Sequence, residues 1–145
     1  MILLLESHPH ARGRLERNLA QHLQVYAPDL AQITSLGDLI ADVLRDGRCR
    51  LLVLGDEIPG SSPMALIRLL RIYTPALPAI VMTRRGGAGP ALERLRSVPY
   101  EDFALQLGPT VDSLLEEERE MRVALGLSHA PTLPHSPALI RLNAS

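Results

Sequence analysis

The chain has 145 residues, 46% of them hydrophobic and 21% charged, with a net charge of -1 and one cysteine. That length suits one domain around a single core, and the composition is that of a soluble globular protein, expected in the cytoplasm. The charge balance excludes an overall field for nucleic acid or anionic lipid, no apolar run approaches the roughly 18 residues of a membrane helix, and Cys49 alone excludes an internal disulfide.

Ile2 to Leu5 is a continuous apolar run, the mark of a strand buried on both faces. It runs straight into Glu6 with no basic flank, so it is not read as a signal peptide. His10 to Leu23 has helical spacing, with Leu15, Leu19 and Leu23 on one stripe. Beyond Pro28, Leu30 to Leu36 is expected to form a second, weaker strand, and Asp38 to Leu44 a short helix closed by Asp46-Gly47. Leu51 to Leu54 is the third strand.

Ser62-Pro63 is a helix cap followed by a first-turn proline, and Met64, Ile67 and Leu70 carry the apolar stripe of a helix that ends before Pro75. Leu77 to Met82 is the fourth strand, and Thr83 to Gly89 a glycine-rich loop. Pro90 opens a short helix through Leu92 and Leu95, and Phe103 to Leu107 is expected as the fifth strand. Gly108-Pro109 opens the last helix, which runs to Gly126 with a solvated acidic face at Glu116 to Glu120. Residues 127–145, with Pro131, Pro134 and Pro137, have no helical period and form a C-terminal tail or linker beyond a domain of residues 1–126. Two PxxP spacings precede the apolar Ala138-Leu139-Ile140-Arg141-Leu142, a segment suited to a sheet edge or a groove.

Alternating strands and helices predict an α/β fold: a flavodoxin-like, doubly wound, five-stranded parallel sheet of order 2-1-3-4-5 with helices on both faces. The functional crevice of such a sheet lies at the carboxyl ends of its strands, near Glu6, Gly55, Thr83 and Gln106.

Leu51-Leu52-Val53-Leu54-Gly55-Asp56-Glu57-Ile58-Pro59-Gly60 resembles the third strand and following loop of the two-component response-regulator receiver family. In that family the strand ends on an aspartate, four residues before a Pro-Gly turn, and this aspartate accepts a phosphoryl group. Counting back four from Pro59 gives Gly55, which has no side chain to phosphorylate. The resemblance covers residues 1 to 125. It implies that Glu6-Ser7 stands for the acidic pair that binds a divalent metal, Thr83 for the hydroxyl that contacts the phosphoryl group, and Phe103 for the switch aromatic. It further implies that Gln106 stands for the lysine that pairs with the phosphorylated aspartate, and Leu107 for the proline after it. No lysine is present, since all 15 basic residues are arginine.

Glu6 alone makes a poor magnesium site, so neither metal nor cofactor is expected. The resemblance therefore implies a degenerate receiver, not an enzyme, that works by contact with another signalling protein or a second copy of itself. Leu92, Arg96, Tyr100, Leu114 and Arg122 are the candidate contacts, chosen as surface positions of the last helices and strand. Three alternatives stand beside it: phosphorylation at Asp56, the N-terminal regulatory domain of a longer transcription regulator, and a small-ligand-binding flavodoxin-like domain. His8-Pro9-His10 with Glu6 offers three potential metal ligands on one loop. Ser61 and Ser62 lack a nucleophile motif, and Gly86-Gly87-Ala88-Gly89 fits no phosphate-binding fingerprint.

Overall fold

The computed structural model describes residues 1–84 and 93–126. In chain order the elements are β1 (Ile2–Leu5), α1 (Pro9–Leu19), β2 (Val25–Tyr26), α2 (Leu36–Asp46), β3 (Leu51–Leu54), α3 (Pro63–Tyr73), β4 (Ala79–Thr83), β5 (Leu95–Pro99) and α4 (Phe103–Ala124), with short 3-10 turns at Leu30–Gln32 and Tyr100–Asp102. The five strands form one parallel sheet in the order β2-β1-β3-β4-β5. That is the expected flavodoxin-like topology.

β1 and β3 run side by side at the centre, with Ile2 opposite Leu51 and Leu5 opposite Leu54, and all eight of their residues are fully buried. Strand side chains alternate, so the pair feeds two cores. Leu3, Leu5, Leu52 and Leu54 pack beneath α2 and α3, against Ile40, Val43, Leu66, Ile67 and Leu70. Ile2, Leu4, Leu51 and Val53 face α1 and α4, against Leu15, Leu19, Leu107, Val111 and Leu114. The helices thus cover both faces.

Local chemistry sets the element ends. Ser62 Oγ accepts the Ala65 amide at 3.1 Å and Pro63 opens α3, as the sequence indicates. α4 closes at Gly126, whose φ of 70° is the left-handed geometry that a glycine after a helix supplies without strain.

Several expectations are corrected. The second strand is Val25–Tyr26, not Leu30 to Leu36; Asp29 Oδ1 accepts the Ala31 amide at 3.1 Å and bends Leu30–Gln32 into a turn. α1 stops at Leu19, four residues early, and α2 begins at Leu36, where Ser35 Oγ accepts the Asp38 amide at 3.2 Å. The fifth strand is Leu95–Pro99, and Phe103 to Leu107 instead opens α4. Leu107, Val111 and Leu114 lie on one helical stripe, so the last helix takes Leu107 with it. Pro109 therefore lies inside α4 instead of starting it, at an exposed position, while the Thr110 hydroxyl donates to the Gln106 carbonyl at 2.6 Å. Of the helix expected from Pro90, Leu95 belongs to β5 and the rest, with Gly86 to Gly89, lies outside the described residues. The 127–145 tail lies outside them as well.

Candidate functional site at the carboxyl ends of the strands

Parallel strands bring their carboxyl ends to one edge, so Glu6 and Ser7 follow β1, Gly55 and Asp56 follow β3, Thr83 and Arg84 close β4, and Tyr100 follows β5. The Gly55 amide donates to the Leu5 carbonyl at 2.8 Å, extending the β1–β3 ladder one step past the strands. That close approach sets Glu6 beside Gly55.

Glu6 is fully buried. Its carboxylate lies against the Gly55 backbone: a Cβ built on Gly55 would sit 2.9 Å from Glu6 Cδ, Oε1 and Oε2. The space a side chain at 55 would need is filled by the side chain at 6. A buried carboxylate needs partners, and Glu6 has two. The Tyr100 hydroxyl donates to Oε1, and the His8 amide donates to Oε2 at 3.2 Å.

Tyr100 is the hub of the crevice. Its oxygen accepts the Asp56 amide at 3.2 Å and lies 3.3 Å from Asp56 Oδ1. Burial, then the bond to Glu6, hold its phenol well above the ordinary tyrosine range. Asp56 turns its other oxygen outward, with Oδ2 at 2.7 Å from Arg84 Nε. Arg84 Nη2 lies 3.2 Å from His8 Nε2. A guanidinium only donates, so a hydrogen bond at this contact requires Nε2 of His8 as the acceptor. Ser7 Oγ donates to the Glu57 carbonyl at 3.3 Å, and the buried Thr83 Oγ1 has no hydrogen-bond partner among the described residues.

Of the expected site residues, Glu6, Ser7, Gly55, Asp56 and Thr83 meet at this edge. Phe103 and Gln106 do not line it from β5, because the strand ends earlier. Phe103 lies under the Arg14 guanidinium, 4.7 Å from ring centre to Cζ, and Gln106 is exposed on α4, donating to Asp102 Oδ2 at 3.3 Å. The proline at the end of β5 is Pro99, and Val98 before it is buried and apolar.

The expected surface contacts need correction too. Leu107, Val111, Leu114, Glu118 and Arg122 share the sheet-facing stripe of α4, so Leu114 is fully buried and Arg122 is 4% exposed, bonded to Glu118 at 2.9 Å. Tyr100 serves the crevice, Arg96 is held by Glu117 at 2.6 Å, and Leu92 lies outside the described residues. Sequence reasoning missed the Tyr100 and Arg84 contacts. The signal for Tyr100 was present in Pro99, a strand-ending proline one residue before an aromatic.

The residues do not fit the magnesium site that the resemblance implies. Magnesium takes octahedral oxygen ligation from carboxylates, phosphate and water. Here both Glu6 oxygens are engaged, and Asp56 presents its free-standing oxygen to a guanidinium. Among the described residues no three His, Cys, Asp or Glu side chains come together as a metal would require, the His8–His10 loop included. Ser62 caps α3, and no described helix is long and apolar enough to cross a membrane.

No family model matches the chain, and no curated protein matches its sequence. Solved structures match its fold. The adenylate cyclase structure from Rhodopirellula baltica aligns at 14% identity and a TM-score of 0.70, over 86% of this chain and 93% of that one. A response regulator receiver protein from Sinorhizobium medicae aligns at 18% identity and a TM-score of 0.64, over 81% and 94%. The response regulator TrrA from Thermotoga maritima, solved in complex with Mg(2+)-BeF, aligns at 19% and 0.61, over 78% and 96%.

Proposed function

We propose that this chain is a degenerate receiver-like regulatory domain that acts through protein–protein contact and does not accept a phosphoryl group. One observation carries the reading: the buried Glu6 carboxylate lies where a side chain on residue 55 would project. Phosphoryl transfer to a carboxylate is almost entirely positioning and electrostatic stabilisation. The acceptor's place holds a glycine, the neighbouring carboxylate is consumed by Tyr100 and His8, and Asp56 is tied to Arg84.

The contact role is supported by the fold shared with receiver structures and by large apolar side chains left in water. Leu105 is 80% and Val123 76% exposed on α4, and Ile72 is 71% exposed on α3. The partner is another signalling protein or a second copy.

The test is to incubate the full chain with acetyl phosphate and magnesium and to record its intact mass, alongside an amide spectrum with magnesium and beryllofluoride. The expected result is an unchanged mass and unchanged Gly55, Asp56 and Thr83 amides. A stoichiometric adduct at Asp56 would overturn the reading. Small-angle scattering and cross-linking of the same chain then distinguish self-association from a requirement for another protein.

A further inference from the structure

A groove of about 300 Å³ runs beside β2 at the opposite, amino-terminal side of the molecule from the crevice. Val25, Tyr26, Leu39 and Val43 form its floor and walls, and Asp42 and Asp46 stand at its rim. β2 is an edge strand of two residues, paired only with β1 among the described residues, and Tyr26 is 42% exposed. An open edge beside apolar side chains is a place for an extended segment to lie.

The chain itself carries a segment of matching chemistry. Residues 127–145 contain no acidic residue, and their densest apolar stretch, Ala138-Leu139-Ile140-Arg141-Leu142, bears one arginine. The rim acids already meet Arg45 and Arg48, but these are exposed pairs. Exposed pairs are worth little, so an arginine can share either acid at small cost.

The origin of the segment is on the correct side. Near the end of α4, Glu118 accepts from Arg50 at 3.0 Å, and the Arg50 amide donates to the Met1 carbonyl at 2.8 Å. Met1 is itself part of the groove wall. Gly126 follows Glu118 by eight residues, about 12 Å at helical rise. The spacer 127–137 spans up to about 40 Å when extended, roughly twice the width of a five-stranded sheet at about 4.8 Å per strand.

We propose that residues 138–142 of the same chain occupy this groove, covering the β2 edge, with their apolar side chains against Tyr26, Leu39 and Val43 and Arg141 at the Asp42–Asp46 rim. The tail would then be an internal competitor for any extended partner of that edge. A tether of this length supplies an effective concentration on the order of millimolar, so a segment with only millimolar intrinsic affinity is bound in about half the molecules.

The test places a nitroxide on the full-length chain through Asn143→Cys. Cys49 is buried, with its thiol pushed up to about 11, so it stays unlabelled. The expected result is that amide signals of Val25, Tyr26, Leu39 and Val43 lose about half their intensity or more. Reduction of the label restores them, and Leu139→Glu with Ile140→Glu in the labelled chain prevents the loss. Intact signals would overturn the proposal. So would loss that appears only between an isotope-labelled, spin-free chain and a spin-labelled, unenriched one, because the occupant would then be a second copy.

Discussion

Replacing Gly55 by alanine should destabilise this protein through one neighbour. The added methyl would lie 2.9 Å from three atoms of the Glu6 carboxylate group, closer than real Cβ contacts come. Glu6 has no cheap retreat: it is fully buried, and moving it stretches the bonds from Tyr100 and His8. Overpacking of this kind costs about 1–3 kcal/mol, and loss of the Tyr100 bond, with a charged acceptor, would add about 1.5–3 kcal/mol. A total of about 2.5–6 kcal/mol is expected. The assay is urea unfolding of four proteins: wild type, Gly55→Ala, Glu6→Ala and the double variant. Glu6→Ala vacates the contested space, so Gly55→Ala should cost less than about 0.5 kcal/mol in that background, a coupling of about 2 kcal/mol or more. If the two changes add within about 0.5 kcal/mol, the two positions do not compete for one volume, and the case against an acceptor at 55 loses its footing.

Three further outcomes are expected. The Tyr100 phenol is raised in the folded state, so its contribution is complete below the unfolded value of about 10 and is lost as pH climbs beyond it; wild type should lose stability above that pH more steeply than Tyr100→Phe, measured by urea unfolding across alkaline pH. Glu118 is 1% exposed and bonds Arg50 and Arg122, so Glu118→Ala should cost about 3–5 kcal/mol and lower the unfolding midpoint accordingly. Gly13→Ala, mid-helix in α1 with only Arg17 Nη1 near the new methyl at 3.7 Å, should raise stability by about 0.5–1 kcal/mol in the same unfolding assay.

The legible parts of the fold are those where one physical signal dominates. β1 and β3 are read to the residue because strands buried on both faces need unbroken apolar runs. α3 is read because cap, proline and stripe agree. β2 is two residues long and leaves no periodicity to detect. β5 reads Leu-Arg-Ser-Val-Pro, with Arg96 exposed at the sheet's edge, and it loses on hydrophobicity to Phe103–Leu107, whose residues belong to a helix. Pro109 reinforced that error, since a proline is expected in a helix's first turn and here sits further in, at an exposed position. The site followed the same rule. Glu6 and Gly55, which follow the central strands, lie at the expected edge, while Tyr100 depended on where β5 ends, and the engagement of Glu6 with Gly55 is a matter of side-chain direction that a linear pattern does not carry.

Positions 6 and 55 cannot both be large. An acid reaching position 55 by single substitutions meets a filled crevice unless residue 6 has shrunk first, and a shortened residue 6 strands the Tyr100 hydroxyl. Either first step is worse than the arrangement now in place. Two codons are thereby yoked together, and a lineage carrying this pair is kept from acquiring a chargeable residue 55 by the folding energy of the intermediate.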